Sequence, residues 1–261
     1  VPRRPKRPLK VPLDCHHCDV RREAVCAPLS SEEIEVMDRY KTGIRTFPAG
    51  SDLYYQGETS DEMYTLLDGW VFRYQILEDG RRQILEFTLP GAFLGFQPNR
   101  QAPMTHSAQC ITDVAACVFP SRNVFELFRA NPELALRMAW ITSRDWTLAQ
   151  EHLTNIGRRT ARERVAHLLL ELFYRVRLCD PSPRGDSIEL PLTQEHIGDA
   201  LGLTSVHVNR TLRRLREANL VAVEGHTLRI LDPDTLADIA GFDSEAVLQR
   251  PLSTEPRPLH G

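Results

Sequence analysis

Three cysteines early in the chain, Cys15, Cys18 and Cys26, stand at Cys-x2-Cys-x7-Cys spacing. Two thiols so close in sequence can reach one centre, so the pattern points to a bound metal ion or an iron–sulfur cluster. Far downstream, residues 193–212 read Thr-Gln-Glu-His-Ile-Gly-Asp-Ala-Leu-Gly-Leu-Thr-Ser-Val-His-Val-Asn-Arg-Thr-Leu. A capped helix, a glycine turn and a second, arginine-bearing helix make the helix-turn-helix pattern, whose chemistry is the reading of DNA. Together the two motifs suggest a transcription factor switched by the state of its metal centre.

The reading helix can be laid out residue by residue. Thr193 and Thr204 are N-caps, and Gly202 allows the turn between the helices. Ile197, Ala200 and Leu201 face inward on the first helix, and Val208, Leu212 and Leu215 on the second. Ser205, Val206, Asn209, Arg210 and Arg213 are left outward, where they can meet double-stranded DNA. Arg210 suits a bidentate contact to guanine, and Asn209 an adenine or a phosphate. Arg214 and Arg216 suit phosphates.

Six cysteines could form three disulfides. Three of them crowd into twelve residues, which favours ligation, and the basic start lacks the apolar stretch of a secretion signal. A reducing compartment, the cytoplasm, is expected. No apolar run approaches the roughly 18 residues of a membrane span, so no membrane association is expected. Residues 1–29 hold seven basic and three acidic side chains, and residues 157–219 hold eleven arginines and eight acids. With the whole chain at −3, the remaining residues sum to −10. Such polarity suits a protein that meets a polyanion with part of its surface.

These residues need elements to hold them, and the chain reads as an α+β protein. Residues 1–29 form a basic arm with the cysteine cluster. Residues 30–130 open with a capped helix, Ser30 with Glu33, and continue as short strands broken by turns, the pattern of a β-roll or jelly roll. Residues 131–157 form a long helix, free of Gly and Pro from Glu133 to Ile156, and carry two heptad phases. Leu134, Met138, Ile141 and Leu148, interrupted by Asp145, form one; Trp146, Ala149, Leu153 and Ile156 form the other. A two-stranded coiled coil is expected, making a homodimer through Met138, Ile141, Asp145, Leu148, Leu153 and Ile156, with the alternative that one stripe packs on the chain's own β domain; a helix has two faces, so both can hold. Residues 158–240 hold a hinge, an amphipathic helix, a loop over 179–187, the helix-turn-helix and a hairpin turning at Glu224 and Gly225. Residues 241–261 read as a disordered tail.

The chain resembles the superfamily of the cyclic-AMP receptor protein and the fumarate-nitrate reduction regulator. The resemblance runs over 15–241 and is carried by Phe47-Pro48-Ala49-Gly50, Gln56-Gly57-Glu58, Leu67-Asp68-Gly69, the stretch 89–95 and the stretch 193–220. It implies a β-roll sensor domain, a long dimerisation helix and a C-terminal winged helix, working as a homodimer on two-fold DNA sites with RNA polymerase as a partner. Cyclic-nucleotide binders of this superfamily carry an acid and an Arg-Ser pair where this chain has Gln97 and His106-Ser107. A neutral imidazole replaces a guanidinium poorly on a phosphate, which argues against a cyclic nucleotide.

The oxygen-sensing branch is similar in its N-terminal cysteines, and the resemblance implies a [4Fe–4S] cluster held by Cys15, Cys18, Cys26 and Cys117. Cys110, an odd offset away, would face the other side of an unbroken strand. The implied mechanism is dimerisation and DNA binding with the cluster intact, reversed by O2. Asp145 would supply repulsion at the dimer seam that cluster binding must overcome. Val206 and Asn209 depart from the branch's usual Glu and Ser, so the half-site is expected to differ. Other readings stay open. Cys15, Cys18 and Cys26 with His16 or His17 could hold zinc. The same thiols could switch without metal if Arg21 and Arg22 lower their pKa. Haem is a further option. An enzyme is not expected, because His16, His17, His106 and His167 lie in unrelated segments and no nucleotide-binding loop or nucleophile elbow is present.

Overall fold

The computed structural model describes residues 8–97, 99, 101–179 and 186–244. The first seven residues of the basic arm, most of the loop expected over 179–187 and most of the expected tail lie outside the described residues.

The first helix forms where its cap is written. Ser30 accepts from the Glu33 amide, and Glu33 accepts from the Ser30 amide, at the start of α1 (Ser31–Tyr40). Eight strands follow: β1 (Gly43–Phe47), β2 (Asp52–Tyr54), β3 (Glu62–Asp68), β4 (Val71–Ile76), β5 (Arg82–Thr88), β6 (Phe93–Leu94), β7 (Ser107–Cys110) and β8 (Val114–Pro120). They make two antiparallel sheets, ordered β1-β8-β3-β6 and β2-β7-β4-β5. β8 is buried along its whole length, because both its faces are covered. Val114, Ala116 and Val118 face the core between the sheets, while Ala115, Cys117 and Phe119 face a second core built with α1 and the cysteine arm. The alternation follows from the two-residue period of a strand.

α2 (Val124–Ala130) leads into α3 (Pro132–Arg158), with Pro132 in the first turn, where no amide partner is lost. The two heptad phases of α3 have opposite fates. Met138, Ile141 and Leu148 are buried within their own chain, Met138 and Ile141 in the core shared with the cysteine arm. They are therefore not an open dimer seam, contrary to expectation. Asp145 falls in the same inward phase. Its carboxylate pairs with Arg144 at 3.1 Å and lies near Glu86 of β5 rather than in the outward seam. Leu136, Trp146 and Leu153 are 64, 63 and 68% exposed. With Ala139 and Ala149 they form an outward stripe that Ile156, half-buried, continues.

α4 (Ala161–Cys179) runs further than the sequence suggested, so Cys179 ends a helix rather than sitting in a loop. The last domain contains β9 (Ser187–Glu189), α5 (Gln194–Leu201), α6 (Ser205–Glu217), β10 (Val221–Glu224), β11 (Thr227–Ile230) and α7 (Pro233–Ala240). The hairpin of β10 and β11 gains β9 as a third strand, in the order β10-β11-β9. This domain does not stand apart. Trp70, Phe72, Ile84 and Phe87 of the β-roll share one core with Leu169, Ile197, Leu201 and Leu215. Arg82 of β5 pairs with Asp199 of α5 at 2.7 Å and lies over the Phe72 ring.

A charged cluster joins all three parts. His152 of α3 meets Glu171 of α4 at 2.8 Å and the Leu85 carbonyl of β5 at 3.2 Å. Arg175 of α4 holds both Glu171 (2.8 Å) and Glu86 (3.2 Å), and Arg73 of β4 pairs with Glu86 as well. Burial raises the Glu171 pKa, but His152 and Arg175 outweigh it and hold the carboxyl well below the ordinary range.

Candidate DNA interface and cysteine centre

The DNA-reading unit is built by caps and a tight turn. Thr193 accepts from the His196 amide at 3.1 Å and Thr204 from the His207 amide at 3.2 Å. Gly198 is required by closeness: a Cβ there would lie 2.5 Å from the Leu203 carbonyl oxygen. On α6, Val208, Thr211, Leu212 and Leu215 are buried. Ser205, Val206, Asn209, Arg210 and Arg213 are all exposed, Val206 at 80%. These five line one open concavity of about 370 Å³. Its sixth wall is Gln194, which the sequence reading passed over. Its Oε1 accepts from Asn209 Nδ2 at 3.1 Å, which leaves the Asn209 oxygen to act as an outward acceptor. A polar residue at the start of the first helix, beside the cap, was the available signal.

The cysteine arm lies against the β-roll. Cys15, Cys18 and Cys26 are partly buried and pack on the core that contains Cys117. Cys110 lies in the other core, between the sheets. The reason differs from the one expected: the strand is broken, with Cys110 ending β7 and Cys117 inside β8, in different sheets. No disulfide joins cysteines among the described residues, which include all six of them. Among the described residues, no three His, Cys, Asp or Glu side chains are gathered closely enough to hold a metal ion as they stand. His16 and His17 are exposed, and His17 turns its Nδ1 to Asp14 at 2.9 Å.

The thiols feel burial first. It pushes Cys26 up to about 12 and Cys117 up to about 12, and it raises Cys15 and Cys18 as well. Neighbouring cysteines add to the rise at Cys26 and Cys117. At Cys15, Asp38 adds to the rise by accepting from Sγ at 3.0 Å, and Lys41 offsets part of it by donating to the same sulfur at 3.2 Å. Lys41 was not anticipated. At the place where a cyclic-nucleotide phosphate would need a cation, His106 hydrogen-bonds the Tyr54 hydroxyl at 3.0 Å. Burial and the Arg73 charge lower its pKa to about 4, so it is neutral at pH 7.

A β-roll joined through a long helix to a winged helix-turn-helix with an exposed arginine face is the architecture of a DNA-binding regulator. Residues 44–131 match the family model of the cyclic nucleotide-binding domain, and residues 163–239 that of the Crp-like helix-turn-helix domain. The chain is similar to transcriptional activatory protein AadR of Rhodopseudomonas palustris, at 35% identity over 217 residues, 83% of this chain and 89% of that protein. It is 32% identical over 239 residues to transcriptional activator protein FnrL of Cereibacter sphaeroides, covering 90% of this chain and 94% of that protein. The solved structure of FixK2 from Bradyrhizobium japonicum aligns with a TM-score of 0.69 at 26% identity, covering 76% of this chain and 96% of that one. This chain belongs to the CRP/FNR family of transcriptional regulators. No described helix is long and apolar enough to cross a membrane.

Proposed function

We propose that this regulator senses oxygen through a [4Fe–4S] cluster held by Cys15, Cys18, Cys26 and Cys117, and binds two-fold DNA sites as a homodimer while the cluster is intact. The observation that carries the reading is Cys117. It is remote in sequence from the other three cysteines, yet it shares their apolar core, while Cys110 does not. Four cysteines are the donor set such a cluster requires, and when bound it supplies a centre that O2 can oxidise. Lys41 beside Cys15 offsets part of the rise that burial and Asp38 impose on its thiol, in the direction that ligation needs. The exposed His16 and His17 give no support to a Cys3His zinc site. The raised thiol pKa values give none to a metal-free switch, which needs a thiolate near neutral pH. Neutral His106 gives none to a cyclic nucleotide.

At the DNA end, Arg210 donates two hydrogen bonds to a guanine edge, and Val206 offers its methyl groups to a thymine. Asn209, held by Gln194, presents its oxygen to a base amino group. Arg213, Arg214 and Arg216 face phosphates, and Ser205 lies at the positive end of α6. The outward stripe of α3, with Trp146, Leu153 and Ile156, meets its copy in the homodimer. RNA polymerase is the further partner that the family implies.

The test is the iron, sulfide and zinc content of protein purified without oxygen, with its visible spectrum before and after air. About four iron and four sulfide per chain, bleached by air, is expected. Cys117→Ala should lose them and Cys110→Ala should keep them. One zinc with no colour change overturns the cluster reading, and the opposite result for the two variants overturns the choice of Cys117.

A further inference from the structure

Arg137 is a buried cation with an unusual set of partners. It projects from α3 and is 6% exposed. Its guanidinium donates to the carbonyls of Arg22 (3.2 Å), Glu23 (3.3 Å) and Ala24 (3.4 Å). These three carbonyls belong to the turn between Cys18 and Cys26, which coils on itself through Arg21 to Cys18 and Ala24 to Val20 hydrogen bonds, each 3.1 Å. The other partner of Arg137 is the Trp140 ring, 4.4 Å from the guanidinium carbon. Carbonyls and a ring carry no net charge, so among the described residues no anion is in direct contact with the cation.

The turn also packs closely on a sheet connection. Gly91, in the connection from β5 to β6, lies so near that a Cβ there would stand 2.7 Å from Glu23 Cβ. The segment carrying the cysteines thus touches the β5–β6 connection at Glu23 and α3 through Arg137, besides the apolar packing of Met138 and Ile141. Burial and the nearby Arg144 charge disfavour the guanidinium, while Glu23 and Cys26 favour it. Trp140 carries Arg144 near its ring as well, at 5.2 Å. Arg137, Trp140 and Arg144 follow one face of α3.

We propose that Arg137 is the residue that couples the cysteine loop to the dimerisation helix: it holds α3 in its dimer-forming position only while the loop between Cys18 and Cys26 is folded around an anionic centre. This rests on the proposed function for the identity of that centre. A buried cation without a direct counter-ion is costly, and thiolates gathered at the loop would offset the cost. When the centre is lost, the loop carbonyls loosen and the guanidinium is left uncompensated. The side chain then leaves its site, and α3 shifts with it. Arg137 is a positioning residue. It ligates nothing and touches no DNA in this scheme.

The experiment is a cycle of residue against loading state, read as the dimer dissociation constant by sedimentation without oxygen. Wild type, Arg137→Ala and Arg137→Lys are each measured loaded and after removal of the metal. In wild type, loading tightens the dimer. In Arg137→Ala, the iron, the sulfide and the visible spectrum are kept, but the tightening shrinks by about ten-fold, the scale of one hydrogen bond to a charged group. Arg137→Lys keeps the charge without the fork and recovers part of it. Should the Ala variant fail to fold, the Lys variant carries the test. Equal tightening in wild type and the variants overturns the proposal. So does loss of the cluster together with the dimer, because Arg137 would then only build the loop. If wild type holds zinc and no iron, the cluster reading fails, and the same cycle between zinc-loaded and stripped protein still decides on Arg137. Absence of any tightening in wild type overturns the coupling.

Discussion

The two phases of α3 allow a test with one substitution made twice. Leu148 is 4% exposed and Leu153 is 68% exposed, on the same helix and five residues apart. Leu148→Ala removes side-chain atoms from the chain's own interior and should cost about 2–5 kcal/mol of folding stability. Leu153→Ala removes atoms that the single chain leaves in water, so the monomer should lose only about 0.5 kcal/mol or less. In a two-fold dimer the outward leucine is buried twice. A fully buried leucine contributes about 1.5–3 kcal/mol, and about two thirds of this one is available to a partner. The dimer should therefore weaken by about 2–4 kcal/mol, roughly 30- to 1000-fold in dissociation constant. Urea unfolding of the monomeric form and sedimentation of the anaerobic form separate the two effects. A Leu153→Ala dimer as tight as wild type, or a Leu148→Ala variant of undiminished stability with a broken dimer, would refute the assignment of faces.

Arg210→Ala should relax discrimination at one base pair and cost about 1–3 kcal/mol there, measured by binding to operators varied at single positions; unchanged discrimination would remove Arg210 from base reading. Gly198→Ala should destabilise by about 1–3 kcal/mol and lower DNA affinity, since the Leu203 carbonyl must move from 2.5 Å; a melting temperature equal to wild type would contradict this. His152 has acceptors at both ring nitrogens, so it is held as the imidazolium. Burial opposes that charge, but Glu171 and Glu86 hold the pKa above the ordinary histidine value. Its contribution is complete below about pH 6.5 and is lost as the pH rises through the raised value. Melting temperature should fall from about pH 6 to about pH 9 by a margin that His152→Gln abolishes, and identical slopes in the two proteins would contradict the assignment.

What the sequence disclosed was local. Ser30 with Glu33, and Thr193 and Thr204 before their helices, act on amides three residues away, so their chemistry is readable from spacing alone. The outward face of α6 follows from helical period. The faces of α3 do not, because two apolar phases are equally good on an isolated helix. Only the packing of Met138 and Ile141 on the cysteine arm decides which phase turns inward. The break between Cys110 and Cys117 falls at Ile111-Thr112-Asp113, which holds neither Gly nor Pro to announce it. Arg137 reads as an ordinary charged helix residue until its carbonyl partners, more than a hundred positions earlier, are brought to it.

The core shared between the β-roll and the reading domain has a consequence for anyone who would retarget this regulator. Trp70, Phe72 and Phe87 are covered by residues of the DNA-reading half. Cutting the protein at the end of α3 would leave both pieces with an apolar wound, and grafting on a foreign reading domain would require a partner shaped to the same aromatic bed. The outward side chains of α6 carry no such burden. New operator preference is therefore accessible through Val206, Asn209 and Arg210 in place, and module exchange would demand that the seam be redesigned with it.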